Sequence, residues 1–597
     1  MNAPLLCVSS IAQSVVSGAR SAVAVAQETL ARADAYAAIQ PQAWIARVPA
    51  AEVLAQARRV DARVAAGERP PLAGVPFAVK DNIDAAGLPT TVACPAFAFE
   101  PDESATVVSA LLDAGALLIG KTNLDQFATG LVGTRSPYGI PACVFNRDYV
   151  SGGSSSGSAV VTAAGVVAFA LGTDTAGSGR VPAAFNGLVG FKPTRGRWST
   201  HGVFPACRSI DCVTVFAADA QGAALVDTVL AVFDGRDPYA RQAPVAVAAA
   251  PRRIGVAQAG QLRFLGDAQS EALFELALQR TRAAGAELVP VDITPLLAAA
   301  QLLYAGPWIA ERVAALGSFL REQPGAVHPV VRAIVQGGAG VSGVEVFEGL
   351  YRLQEYLRHA EGLWQDVDAL LLPTAPTIYR ISELLAEPVA LNSNLGLYTN
   401  FVNLLDMSAV SVPAGYRDNG TGFGVSLIGP AWADRALLDF AARVTAPAAR
   451  PPLDLGSPAA GGPATAPVAL AVVGAHLHGQ PLHWQLASRQ ARLVGSTHTA
   501  RAYRLYAMAG PPPARPALVR RDDDGCAIAV EVYELDVAAF GSFVAEVQPP
   551  LAIGTIELAD GRIVKGFVAE PRALEGATDV SALGGWRAYL AQASARP

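Results

Sequence analysis

Two glycine-flanked serine turns constrain this chain more than any other feature. The first is Gly152-Gly153-Ser154-Ser155-Ser156-Gly157-Ser158, and the second runs Thr173-Asp174-Thr175-Ala176-Gly177-Ser178-Gly179-Arg180. Between them lie the small apolar residues Ala159 to Ala164, suited to a helix packed tightly on a sheet, and a strand-like run from Val166 to Leu171. A helix and a strand in that order return the chain to where it started, so Ser154 and Ser178 converge on one edge of a sheet. Glycine–serine turns also occur in linkers and phosphate loops. The second serine turn is what separates this pattern from those.

Serine is a weak nucleophile until a neighbour takes its proton, and the usual acceptor is an imidazole. No histidine precedes His201. The candidate base upstream is Lys80, at the end of the apolar approach Gly74-Val75-Pro76-Phe77-Ala78-Val79, where poor solvation lowers a lysine pKa. A lysine that works as a neutral base has no carboxylate partner, so Asp81 is expected to point away.

With 597 residues the chain exceeds one core, and two or more domains follow on size alone. Hydrophobic residues at 52% against 16% charged describe a densely packed globular enzyme. The net charge of -6, with no block of lysines or arginines, argues against nucleic acid or an anionic membrane as partner. Met1 to Ser10 lacks the basic region of a signal peptide, and no apolar run of spanning length is unbroken, so a cytoplasmic location is expected. The six scattered cysteines, with no CxxC pair, read as reduced thiols. Cys207 and Cys212 carry redox or metal chemistry only as a minor alternative.

Residues 11–68 read as helices. From Pro70 to about Val215, short apolar runs alternate with glycine turns and helical stretches, the texture of an α/β sheet with loops gathered at one edge. Arg253 to Ala257 and Ala369 to Thr374 read as further strands of the same large domain, 1–445. The Pro, Ala and Gly-rich stretch 446–467 reads as a linker. Residues 468–597 form a small β-rich α+β domain, in which Asp560-Gly561 supplies the tight hairpin turn between two strand-like runs.

From about Pro70 to Ser209 the chain resembles the amidase signature family of Ser-Ser-Lys amide hydrolases, on the Lys80, Ser154 and Ser178 motifs quoted above. The resemblance implies a large twisted mixed sheet covered by helices, with Lys80 as base, Ser154 as bridging serine after a cis peptide, and Ser178 as nucleophile. The backbone N–H groups of Thr175, Ala176, Gly177 and Ser178 form the expected oxyanion hole. Asp174 and Arg180 are expected to hold this loop by hydrogen bonds or an ion pair.

Leu303-Tyr304-Ala305-Gly306-Pro307-Trp308-Ile309-Ala310-Glu311-Arg312, together with Ser209 to Val213 and the two-domain order, is similar to the allophanate hydrolase branch of that family. The similarity implies a small anionic amide as substrate, with Tyr304 and Arg312 on its carboxylate, and hydrolysis that releases ammonia and carbon dioxide. The alternative reading of Arg312 is a surface arginine on an amphipathic helix. Val473 to Leu482, with Tyr503 to Tyr506, resembles the C-terminal domain of that branch, similar in fold to γ-glutamyl cyclotransferases; His476 is its candidate site residue. A zinc reading of His476 and His478 lacks neighbouring cysteines or carboxylates, so no metal is expected, and no cofactor. A homodimer is implied by the resemblance, and association with a separate urea carboxylase follows from the lack of a biotinyl-lysine motif. Other readings stay open: another small-amide amidase, the amidase subunit of a tRNA-dependent amidotransferase, or a non-catalytic scaffold of a urea-degrading complex.

Overall fold

The computed structural model describes residues 5–245, 248–446, 449–455, 467–487, 489, 491–510, 514–521 and 523–594. The chain divides into two compact units, Met1–Gly456 and Ser457–Pro597. Most of the stretch 446–467, read as a linker, lies outside the described residues. Within it, Asp454 accepts from the Arg147 N–H at 2.8 Å, so residues just before the boundary run along the first unit.

The first unit is built on one mixed sheet of eleven strands: β1 (Trp44–Arg47), β2 (Pro76–Lys80), β3 (Leu117–Thr122), β4 (Phe169–Asp174), β5 (Val189–Lys192), β6 (Cys212–Ala217), β7 (Arg253–Ala257), β8 (Glu287–Val291), β9 (Ala369–Pro373), β10 (Ser408–Tyr416) and β11 (Gly422–Gly429). Their order is β1-β3-β2-β4-β6-β5-β10-β11-β9-β7-β8. Strands β2, β3, β4, β5, β6 and β9 are buried along their whole length. Strands this apolar on both faces need cover on both, and helices supply it. This is the amidase signature fold.

The pairing of β2 with β4 positions the chemistry. They run parallel, with Phe77 opposite Phe169 and Val79 opposite Leu171, and the two phenylalanine rings stack at 5.4 Å. Lys80 closes β2 while Thr173 and Asp174 close β4. In sheets of this kind the carboxyl ends of parallel strands are where side chains meet a ligand. Between them the helix Ser156–Ala163 packs so closely that a Cβ on Gly157 would stand 2.3 Å from the Ala43 carbonyl oxygen. A glycine is required there.

The helical reading of residues 11–68 holds for Val8–Val16, Ala22–Ala37 and Ala50–Ala65. It misses β1, which pairs antiparallel with β3. Four residues are too few to display a strand period, and the partner that makes them a strand lies some seventy residues away in sequence, about five times the span over which periodicity is read.

The second unit holds a five-stranded sheet, order β13-β16-β12-β18-β17, and a three-stranded one, β15-β14-β19. Here β12 is Val468–Val472, β13 Arg492–His498, β14 Tyr503–Ala507, β15 Pro516–Arg520, β16 Ala529–Leu535, β17 Leu551–Glu557, β18 Ile563–Ala569 and β19 Thr578–Asp579. Strands β17 and β18 form the expected hairpin, Glu557 opposite Ile563, with Gly561 at φ 82° in the turn. Its core gathers Leu470, Val472, Leu505, Tyr533, Phe543, Ile556 and Trp586.

Candidate active site

Lys80, Ser154 and Ser178 meet in one hydrogen-bonded line. Lys80 Nζ lies 2.8 Å from Ser154 Oγ, which lies 3.0 Å from Ser178 Oγ. All three residues are buried. Ser154 follows a cis Gly153–Ser154 peptide, in the turn that opens the helix Ser156–Ala163. Burial draws the Lys80 ammonium down to about 7, against the opposing pull of Asp125, Asp211 and Asp174. Asp81 faces the other way, as expected: it pairs with Lys121 Nζ at 3.0 Å and accepts from the Thr91 N–H and hydroxyl.

Two residues that sequence alone does not single out complete the surroundings of Lys80. Its Nζ donates to Thr173 Oγ1 at 2.7 Å, and Asn82 Nδ2 donates to the same oxygen at 3.3 Å and to the Phe204 carbonyl at 3.0 Å. Thr173 belongs to the motif that carries Ser178. A hydroxyl on a buried strand beside a lysine is the available signal.

The turn Thr175–Ser178 is held from behind. Asp174 and Arg180 form a buried bidentate pair, both contacts 2.9 Å, and Arg180 reaches on to Asn403 Oδ1 and the Thr399 carbonyl. Thr399 Oγ1 donates to the Ala176 carbonyl at 2.6 Å, and Asn403 Nδ2 donates to those of Asp174 and Ile210. The Gly177 carbonyl is held as well, by the N–H groups of Arg180 and Val181. Those of Thr175, Ala176 and Ser178 have no hydrogen-bond partner among the described residues. The Gly177 N–H differs from expectation: it donates to Asp174 Oδ1 at 2.9 Å and is not available to an oxyanion. A carboxylate three residues back caps this N–H, a pairing that the glycine-rich pattern does not reveal.

Below the turn, Asp211 accepts from Thr175 Oγ1 at 2.5 Å and from the Ala206 and Cys207 N–H groups. Burial pushes its carboxyl up to about 6.

Arg312 is buried on the helix Trp308–Glu322, not on its surface face. Its Nη1 donates to Thr129 Oγ1 at 2.9 Å and its Nη2 to Tyr304 Oη at 3.4 Å, with the guanidinium carbon 5.4 Å from the Tyr304 ring. Its Nε is buried without a partner, and no carboxylate among the described residues pairs with it. Glu311, beside it in sequence, accepts instead from the N–H and hydroxyl of Ser209. An unneutralised buried guanidinium is costly unless something anionic completes it. The next residue after Thr129 closes the distance to the serines: Ser178 Oγ donates to the Gly130 carbonyl at 3.5 Å.

In the second unit His476 lies between Phe567, stacked at 5.0 Å, and Phe543, edge-on at 5.2 Å, with its Nε2 2.7 Å from Gln485 Oε1. Burial lowers its pKa. His478 donates its N–H to Glu531, which also pairs with Arg587 at 2.7 Å. No group of three metal-ligating side chains occurs among the described residues.

A lysine and two serines in a buried hydrogen-bonded line, beside the unpartnered N–H groups of Thr175, Ala176 and Ser178, define the class: an amidohydrolase. A family model described as Amidase matches residues 25–438, and the chain belongs to the amidase family. A second model, the allophanate hydrolase C-terminal domain, matches residues 468–591. The urea amidolyase of Saccharomyces cerevisiae is 42% identical over 571 residues, covering 92% of this chain and 31% of that protein. The chain therefore spans about a third of the length of that relative. A glutamyl-tRNA(Gln) amidotransferase subunit from Trichormus variabilis is 32% identical over 465 residues, covering 72% of this chain and 95% of that one. Among solved structures, Kluyveromyces lactis allophanate hydrolase is 42% identical with a TM-score of 0.66, covering 92% of this chain and 93% of that one. Among the described residues no single helix is long and apolar enough to cross a membrane.

Proposed function

We propose that this chain hydrolyses allophanate, urea-1-carboxylate, releasing ammonia and carbon dioxide as the second step of ATP-dependent urea degradation. The observation that carries the reading is Arg312: a buried guanidinium with no carboxylate partner among the described residues, hydrogen-bonded to Thr129, whose neighbour Gly130 accepts from Ser178 through its carbonyl. A small amide with a carboxylate at its far end would place the amide at Ser178 and the charge at Arg312. Tyr304 and the unpartnered Nε edge of Arg312 would take that carboxylate. Similarity to K. lactis allophanate hydrolase over both units supports the same substrate.

Neutral Lys80 takes a proton from Ser154 as Ser154 takes one from Ser178, whose oxygen attacks the terminal amide carbonyl. The N–H groups of Thr175, Ala176 and Ser178 receive the oxyanion; each such donor lowers the barrier by about 3 kcal/mol. The proton returns through Ser154 to the leaving nitrogen, ammonia departs, and water attacks the acyl-enzyme by the same relay. The product is N-carboxycarbamate, which loses carbon dioxide to leave carbamate, and carbamate breaks down to the second ammonia and a second carbon dioxide. His476, sequestered between two phenylalanines, is the residue proposed to speed that loss in the second unit.

Allophanate arises by carboxylation of urea, so association with a urea carboxylase belongs to the same proposal, as do a homodimer and a cytoplasmic location. The test is a panel of allophanate, malonamate, biuret and urea with the purified chain alone. Turnover confined to the carboxylated amides supports the reading. Activity that appears only with added partner proteins and charged tRNA replaces it with the amidotransferase one.

A further inference from the structure

We infer that Thr129 is a specificity-positioning residue, which fixes Arg312 at a set distance from Ser178 and so selects amides that carry a carboxylate. The inference rests on the substrate reading above and goes beyond it, because Thr129 makes no hydrogen bond to Lys80, Ser154 or Ser178 themselves among the described residues.

The hydroxyl of Thr129 is fully committed. It donates to the Phe127 carbonyl at 3.1 Å, which turns its lone pairs to Arg312, and Arg312 Nη1 donates into them at 2.9 Å. The carbonyl of Thr129 is held too, by Arg135 Nη1 at 2.9 Å, while Arg135 Nη2 reaches the Pro388 carbonyl at 2.6 Å. Beyond Gly130, Leu131 N–H donates to Asn392 Oδ1, and Asp125 accepts from the N–H groups of Val132, Gly133 and Arg135. The strip 129–133 is thus pinned at every residue but Gly130, whose carbonyl meets Ser178 Oγ.

The approach to Thr129 is strained. Phe127 and Ala128 both take left-handed backbone, with φ of 52° and 51°, a conformation that non-glycine residues adopt at a cost. Two such residues in succession persist where the surrounding contacts over-determine them. Here they turn a buried threonine toward a guanidinium whose other neutral oxygen partner, Tyr304 Oη, stands farther off at 3.4 Å.

With Nη1 anchored to Thr129 and Nη2 held only at 3.4 Å by Tyr304 Oη, the edge formed by the unpartnered Nε and Nη2 is the one a carboxylate can complete. That edge matches a carboxylate's two oxygens. Without the Thr129 hydroxyl the guanidinium keeps its charge but loses its orientation, and a carboxylated amide no longer registers its far end against Ser178.

The test compares Thr129→Val, which keeps the shape and removes the hydroxyl, with Thr129→Ser, which keeps it, and wild type. Two readouts are taken: steady-state kinetics on allophanate and malonamate, and the rate at which a neutral serine-directed phosphonate labels Ser178. Thr129→Val is expected to raise KM for both carboxylated amides about tenfold or more while phosphonate labelling shifts less than about threefold, and Thr129→Ser restores KM to within about threefold. A parallel loss of labelling and turnover makes Thr129 merely structural and overturns the inference. So does an unchanged KM in Thr129→Val. Wild type that labels normally yet leaves allophanate intact overturns the substrate reading, and the inference falls with it.

Discussion

Lys80 Nζ stands 2.8 Å from Ser154 Oγ, and no carboxylate among the described residues is in hydrogen-bond contact with it. A neutral amine in that position accepts a proton, whereas an ammonium does not. With its pKa drawn down to about 7 by burial, activity rises with pH through about 7 and levels above it. A pH profile of kcat/KM on malonamate checks this, and a flat profile between pH 6 and 8 contradicts it.

The same burial costs stability. Between about pH 7 and its ordinary value, Lys80 is neutral in the folded chain and charged in the unfolded one, so the unfolded chain binds the extra proton and stability rises with pH across that window. The cost is full below about pH 7 and vanishes above the ordinary lysine value. Lys80→Met is therefore expected to be inactive yet melt higher than wild type at pH 7, with the gap narrowing toward pH 10; thermal unfolding of both at several pH values reads it.

Gly177 is placed with φ at 132°, and a Cβ there would lie 2.4 Å from Thr399 Oγ1. Gly177→Ala must displace Thr399, which holds the Ala176 carbonyl. Expected are a loss of about 2–4 kcal/mol of stability and a fall in kcat of about a hundredfold or more. Denaturant unfolding together with initial rates separates the two effects.

Arg312→Gln removes the buried charge but keeps polar reach. The carboxylated substrates should lose about 30- to 1000-fold in kcat/KM. Tyr304→Phe, which removes one 3.4 Å contact, should cost less, about threefold to tenfold. Equal losses from the two would shift the recognition of carboxylate away from Arg312.

Much of the site is legible in sequence because its motifs are contiguous and chemically unambiguous. Ser154 and Ser178 sit in glycine turns whose spacing brings them to one edge, Lys80 ends an apolar run, and the resemblance to the amidase signature family joins the three. Asp174 and Arg180 pair as their separation within one turn suggests. What sequence hides depends on partners far along the chain. Thr129 reads as one more threonine until Arg312, far along the chain, donates to it. Asp211 acquires its role only when Thr175 bends onto it. The Gly177 N–H is misread from sequence because a composition of small residues says which N–H groups can approach a ligand, not which of them a carboxylate has already taken. β1 escapes for the same reason, since its strand character comes from β3 and not from its own four residues.

Ammonia release from freshly prepared allophanate, wild type against Ser178→Ala, tests the central claim most directly. Two ammonia per allophanate from wild type, none from Ser178→Ala of unchanged fold, and none from urea with either, is the expected result. Folded wild type that releases no ammonia from allophanate while hydrolysing another amide would contradict the assignment of Arg312 and Tyr304 to a substrate carboxylate, and activity retained by Ser178→Ala would contradict the nucleophile.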